Sequence, residues 1–196
     1  MSDHLLKNFT RCAIVALLAS SSAAVAAIID ESGEATATLA PTKGSDTSGT
    51  ATFTAAGKDG IRIRLEITGL KAQSSHGLHV HEKGDCSAPD ATSAGPHFAL
   101  PGQQHGPMDG DTHAGDLGNI TADASGKVST TLSVPESKLT LAPGPRSVVG
   151  RALVVHGKAD DLKSQPAGDS GPRIACGVID RKTTQDGKAP MKPTAK

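Results

Sequence analysis

Between Thr50 and Ile67 the chain alternates apolar and polar side chains almost without a break. Thr50-Ala-Thr-Phe-Thr54 and Ile61-Arg-Ile-Arg-Leu-Glu-Ile67 each put their apolar residues on one face and their polar residues on the other. That is the period-two signature of a half-buried strand. A helix would scatter the same residues around its circumference. Lys58-Asp59-Gly60 lies between the two runs and predicts a hairpin turn. Further strands are expected at 78–82, 119–122, 127–134, 148–156 and 174–179, and the alternation of Ala and Thr from Ala35 to Thr38 leads into a first one. Asp123-Ala-Ser-Gly126 supplies another turn. No window keeps a helical period. Composition agrees: with three Phe, no Tyr and no Trp, the core must be built from Val, Ile, Leu and Ala, while 22 Gly and 12 Pro serve the turns. The expectation is an all-β domain over residues 28–180, a Greek-key barrel or sandwich of about eight antiparallel strands.

The first 27 residues read as a secretory signal rather than as part of this domain. Lys7 and Arg11 precede the apolar run Cys12-Ala-Ile-Val-Ala-Leu-Leu-Ala19, and small residues follow through Ala27. The run is too short to span a bilayer, so no membrane association is expected after cleavage. Export predicts an oxidising compartment beyond the cytoplasm. Cys12 leaves with the signal, and Cys86 and Cys176 remain in an oxidising environment, where two cysteines read as one disulfide. Closing so long a loop contributes roughly 4.5 kcal/mol in the chain-entropy account. Residues 181–196 are rich in Lys, Pro and Thr and read as a disordered basic tail. The formal net charge is zero, which gives no overall attraction for nucleic acid.

Two stretches fit no strand, 83–117 and 158–173, and long ordered loops in a small domain are usually functional. The first holds three of the chain's eight histidines, His97, His105 and His113, followed closely by Asp116. His79-Val80-His81 places two imidazoles on one face of a strand, roughly 6–7 Å apart along the chain, close enough to grip one ion. His156 closes the strong strand signal Ala152-Leu-Val-Val-His156. A loop cannot easily bury three histidines in apolar contacts, because each ring nitrogen needs a partner. Three histidines plus an aspartate form a closed set suited to structural zinc. An all-imidazole set with an exposed position suits copper. Histidines scattered over the surface are the plain alternative.

Taken together, several runs of residues resemble the copper–zinc superoxide dismutase family. They are Gly77-Leu-His-Val-His-Glu82, Ser93-Ala-Gly-Pro-His-Phe98, His113-Ala-Gly-Asp-Leu-Gly-Asn119, Gly150-Arg-Ala-Leu-Val-Val-His156, Lys158-Ala-Asp-Asp161 and Arg173-Ile-Ala-Cys-Gly-Val-Ile179. The run Lys83-Gly-Asp-Cys-Ser-Ala-Pro89 is similar to the bacterial, periplasmic branch. The resemblance implies that His79, His81, His97 and His156 bind copper, and that His97, His105, His113 and Asp116 bind zinc, with His97 shared. It implies a supporting carboxylate at Asp160, a disulfide between Cys86 and Cys176, and a substrate-channel arginine at Arg173. His76 would be a packing histidine. The implied substrate is the superoxide anion, with His97 and Arg173 the catalytic side chains. Lys83 and Lys163 are candidates for steering it.

Two features depart from the family pattern. After His97-Phe98 the chain reads Ala99-Leu100-Pro101 where Asn-Pro is usual, and it has neither Trp nor Tyr for an aromatic-rich dimer contact, which leaves a homodimer open. Two rival functions draw on similar residues. A non-enzymatic copper-binding or delivery module on the same fold would be expected to lack ligands or the arginine, or to add Cys-x-x-Cys. A zinc hydrolase needs an open zinc position and a carboxylate base.

Overall fold

The computed structural model describes residues 33–182; the signal segment 1–27 and residues 183–196 of the tail lie outside the described residues. Eight strands follow one another: β1 Glu34–Pro41, β2 Ser48–Ala55, β3 Ile61–Thr68, β4 Ser75–His81, β5 Asp116–Thr121, β6 Val128–Val134, β7 Ala152–His156 and β8 Arg173–Arg181. The only helical pieces among the described residues are two three-residue 3₁₀ turns. One of them, Gly57–Asp59, makes the predicted β2–β3 hairpin together with Gly60 at φ +89°.

All pairings are antiparallel and the order is β5-β4-β7-β8-β1-β2-β3-β6. Strands β3 and β4, and β6 and β7, are neighbours in sequence but not in the sheet, so the chain crosses over twice in the Greek-key manner. The sheet curls until its end strands β5 and β6 approach each other, joined by the 123–126 turn. There Asp123 Oδ1 accepts from the amides of Ser125 and Lys127. The eight-strand expectation therefore holds.

Alternation in β3 is complete: Ile61, Ile63, Leu65 and Ile67 are buried, while Arg62 and Arg64 face solvent. They join Phe53, Leu39, Leu78, Val80, Leu153, Val155 and Ile179 inside the barrel. Each such side chain contributes about 1.5–3 kcal/mol on burial. Strands β4 and β7 break the alternation, being buried on both faces. Their inward residues enter the barrel core. Their outward residues are covered by the two long loops, 82–115 and 157–172, and this cover creates the second, functional interior.

Several boundaries differ from expectation. Residues 148–151 form a turn rather than the start of β7, with Arg151 N–H donating to the Val148 carbonyl. Strand β8 continues through Arg181, whose guanidinium donates to the Leu141 carbonyl, so the tail starts later than residue 181. The connection 135–151, which the alternation did not predict, buries Leu139, Leu141 and Lys138. Cys86 and Cys176 are joined by a disulfide that ties the first long loop to β8. A small apolar cluster of Ala91, Ala94, Ala152, Val154 and Cys176 packs around it on the outer face.

Candidate metal centre

Six histidines converge on the outer face of β4 and β7. His79 and His81 are wholly buried and share a face of β4, opposite Leu78 and Val80. The pairing of β4 with β5 shifts register between Gly77 and His79, and that of β7 with β8 between Val155 and His156. Such irregularities re-aim side chains near functional sites. The loop residues are held by backbone bonds: Phe98 N–H donates to Val80 O, Glu82 N–H to Pro96 O and Gly115 N–H to Phe98 O. These bonds lay His97 beside His81. The segment after Phe98 is pinned by a side-chain clasp, in which Gln103 Oε1 accepts from Leu100 N–H and Ala114 N–H.

The ring of His97 lies at the centre. Its centroid is 3.9 Å from that of His79, 5.0 Å from His81, 5.5 Å from His105 and 5.8 Å from both His113 and His156. Two sets of ligand-type atoms fall within 4.8 Å of one another: His79, His81, His97 and His156, and His79, His97, His105 and Asp116. His113 is outside the second set, yet its Nδ1 is 3.5 Å from Asp116 Oδ1. The seven residues named as ligand candidates from the sequence thus lie together.

The chemistry of these donors fits metal ions. Four buried ring nitrogens, His79 Nδ1, His97 Nε2, His105 Nδ1 and His113 Nδ1, have no hydrogen-bond partner in the protein. Buried polar atoms left so would each cost about 1–3 kcal/mol. His105 Nδ1 is only 3.0 Å from Asp116 Oδ2 yet makes no hydrogen bond to it. Atoms that close without bonding to each other are arranged as ligands around a shared point are.

The opposite nitrogens are fixed by protein acceptors. Asp160 Oδ2 takes His79 Nε2 at 2.7 Å and its Oδ1 takes His105 Nε2 at 2.9 Å. Gly95 O takes His81 Nδ1 at 2.9 Å. One carboxylate therefore orients two rings at once, His79, common to both sets, and His105 of the second, the arrangement that sets tautomer and direction in metal sites. Gly168, at φ +67°, lets the second loop close over this carboxylate: a Cβ there would sit 1.9 Å from Asp160 Oδ1. His76 takes no part in the cluster. Its Nδ1 meets the His156 carbonyl at 2.8 Å and its Nε2 the Ser74 hydroxyl, a satisfied packing histidine.

A cavity of about 760 Å³ opens onto the cluster, lined by His81, His97, His113, His156, Asp169 and Arg173 among others. Two of the Arg173 donors are spent on the Ala91 and Gly95 carbonyls, both at 2.6 Å. Arg173 nonetheless lines the cavity, its guanidinium held in a fixed place by these two bonds. Neither Lys83 nor Lys163 lines it.

Sequence reasoning missed three supports. Lys138 Nζ is buried and donates to Thr112 O, Thr112 Oγ1 and His113 O, anchoring the loop that carries His113. Burial pulls its pKa down, and the carboxylates of Asp116, Asp111 and Asp109 work against that. Gln165 pairs both backbone polar groups of His105 with its amide. Asn119 does the same for Asp160. A lysine and a glutamine in loops and an asparagine on β5 carry no sequence signal of such partners.

Electrostatics keep the rings ready for metal. Burial pushes the pKa of His156 down from an ordinary 6.5 to about 4, and positive charge on His97 or Arg173 would push the same way. Burial, then the neighbouring imidazoles, lowers His79 and His81 well below the ordinary value. Burial alone would raise the Asp116 pKa, but hydrogen bonds from His97 and the Gly106 amide outweigh it and hold the carboxylate ionised. The metal-free protein should therefore lose stability on acidification. Between about 6.5 and 4 an unfolded chain binds the His156 proton and the folded one does not. Stability is intact above that window and falls through it, by roughly 3 kcal/mol for this ring, with His79 and His81 adding to the loss. Denaturant midpoints of metal-free protein between pH 7.5 and 4.5 measure this, and a flat profile would contradict it.

Comparison with known proteins agrees with the geometry. Residues 47–179 match the family described as copper/zinc superoxide dismutase (SODC). A superoxide dismutase [Cu-Zn] from Talaromyces marneffei is 43% identical over 143 residues, which cover 69% of this chain and 90% of that one. Among solved structures, a SOD-like protein from Bacillus subtilis is 32% identical with a TM-score of 0.65, over 72% of this chain and 95% of the other. The clock protein EA4 is 35% identical with a TM-score of 0.66, over 76% and 95%. With the family match covering more than half of its length and the histidine cluster assembled as described, the chain belongs to the copper/zinc superoxide dismutase family, a family of oxidoreductases with copper and zinc as cofactors.

Proposed function

We propose that the chain disproportionates superoxide, turning two superoxide anions and two protons into dioxygen and hydrogen peroxide. The observation that carries this reading is the position of His97, the one ring within 5.8 Å of all five others in the cluster. Both of its nitrogens face ligand groups, Nδ1 towards Asp116 and Nε2 without a protein partner. It can therefore join two ions. His79 cannot, because its Nε2 is committed to Asp160 and only Nδ1 is left. His79 Nδ1 and the Nε2 atoms of His81, His97 and His156 would hold copper. The Nδ1 atoms of His97, His105 and His113, with Asp116, would hold zinc.

When bound, copper supplies the one-electron chemistry and zinc a fixed positive charge beside the shared imidazole. His97 Nε2 is placed to hold a proton between the two half-reactions and to pass it to the peroxide product at the cavity wall. Asp160 keeps the rings of His79 and His105 in place throughout. Arg173, locked by two backbone carbonyls, offers a fixed cation to a small anion in the cavity. A copper-storage or delivery role on the same fold would need neither Arg173 in the cavity nor the proton-holding position of His97. Export to the periplasm, in the manner of the bacterial branch, is supported by the apolar segment at residues 12–19 and by the disulfide. The role there would be protection against superoxide outside the cytoplasm, and a homodimer is compatible with it.

Superoxide decay followed by pulse radiolysis with the copper- and zinc-loaded protein tests the reading. Fast catalytic decay that needs copper is expected, and stoichiometric copper binding without turnover would leave only a carrier. In the same assay Arg173→Ala should lower the rate about tenfold and flatten its dependence on salt. An unchanged rate and slope would reduce Arg173 to scaffold.

A further inference from the structure

We propose that Ser170 is the positioning residue for His156, fixing the ring's tautomer and direction through a hydrogen-bond relay and so setting how tightly the four-histidine cluster holds its metal. The inference rests on the reading of that cluster given above and concerns a residue outside it.

Ser170 lies in the loop between β7 and β8 and is 1% exposed. Its hydroxyl oxygen is 3.0 Å from His156 Nδ1 and 3.0 Å from the Ala167 carbonyl oxygen. A hydroxyl has one proton, and a carbonyl can only accept. The Ser170 O–H is therefore donated to Ala167 O, and the Ser170 oxygen accepts from a proton on His156 Nδ1. With the proton held there, the lone pair of His156 is on Nε2, the nitrogen 3.3 Å from His81 Nε2 at the heart of the cluster. The Gly171 carbonyl is also near Nδ1, but at 3.3 Å. The serine is the shorter contact, and a hydroxyl whose own proton is engaged accepts more strongly than one whose proton is free.

The neighbouring strand makes room for this arrangement. A Cβ on Gly77 would be 3.0 Å from Ser170 Cβ and 3.1 Å from His79 Cε1. The strand that carries His79 thus leaves an unfilled position against which Ser170 settles. Each of the other oriented rings has its own acceptor: Asp160 for His79 and His105, Gly95 O for His81. His156 is the ring held by a side-chain hydroxyl. A neutral hydroxyl polarises an imidazole less than a carboxylate does, so the donor strength of His156 is set lower than that of His79. Loss of such an outer partner typically costs 10–100-fold in metal affinity.

The test uses the full chain with Cu²⁺ and Zn²⁺ as probes, comparing wild type with Ser170→Ala, which removes one oxygen and adds no bulk. Chelator competition should show Cu²⁺ affinity about tenfold weaker, with Zn²⁺ affinity and the unfolding midpoint of the metal-free protein unchanged. In the diamagnetic reduced copper–zinc protein, the His156 Nδ1 proton should move upfield and exchange faster with solvent. A merely structural serine would lower the midpoint and weaken both metals alike, and that outcome overturns the proposal. So would a Ser170→Ala protein with wild-type Cu²⁺ affinity and an unmoved His156 proton. If the His156 resonances of the wild type do not respond to copper, the reading of the cluster itself fails, visibly without any substitution, and the proposal fails with it.

Discussion

Replacing His156 with Ala should abolish copper-dependent activity while leaving zinc in place. His156 belongs to the set with His79, His81 and His97 and to no other. In the reading proposed above its loss removes a direct copper ligand, so the effect should exceed the roughly 100-fold upper range for losing an outer partner. The fold should survive, because the backbone carbonyl of His156 still accepts from His76 and the β7 ladder is intact. Metal analysis and superoxide decay on the same sample decide it. Retained activity, or zinc lost together with copper, would mean that the two sets are not divided as assigned.

Asp160→Asn should weaken both metals at once. The carboxylate accepts from His79 Nε2, His105 Nε2 and the Leu162 amide, all at 2.7–2.9 Å. An amide keeps one acceptor oxygen and turns a donor towards the other ring, so one imidazole must lose its partner or flip. Because His79 is assigned to copper and His105 to zinc in the reading proposed above, a fall of about 10–100-fold in affinity is expected at each. Titration of the metal-free variant with Zn²⁺ and Cu²⁺ measures the two separately. Loss at one site with the other unaffected would break the proposed coupling. The contrast with His156→Ala, where only copper should go, makes the pair of variants informative together.

Much of this was legible in the residues. The period-two run Ile61–Thr68 could only be a strand with one face buried, and it pairs with β2 through the predicted turn. The identical face of His79 and His81 follows from the same period. The spacing of Cys86 and Cys176 allowed a disulfide but did not require one; what joins them is the packing of the first long loop against β8. The turn at 148–151 was invisible to alternation, because Val148 and Val149 are as apolar as strand residues and only their contacts place them in a loop. Arg151 shows the same limit. Its guanidinium lies 3.4 Å from the centre of the Phe98 ring and donates to Glu82 O, clamping the neighbours of both His97 and His81. No pattern of charges along the chain announces that.

By itself the sequence determined the strands, the face on which the histidine pair lies and the candidate metal-ligating side chains, because alternation and ligand type are local properties of the chain. Which nitrogen of each ring is free, and which residue stands behind it, was decided only by the tertiary structure. Asp160, Ser170, Gln165 and Lys138 reach partners 14 to 81 positions away along the chain. A hydrogen bond's direction depends on where the folded chain brings two groups, and no local rule encodes that.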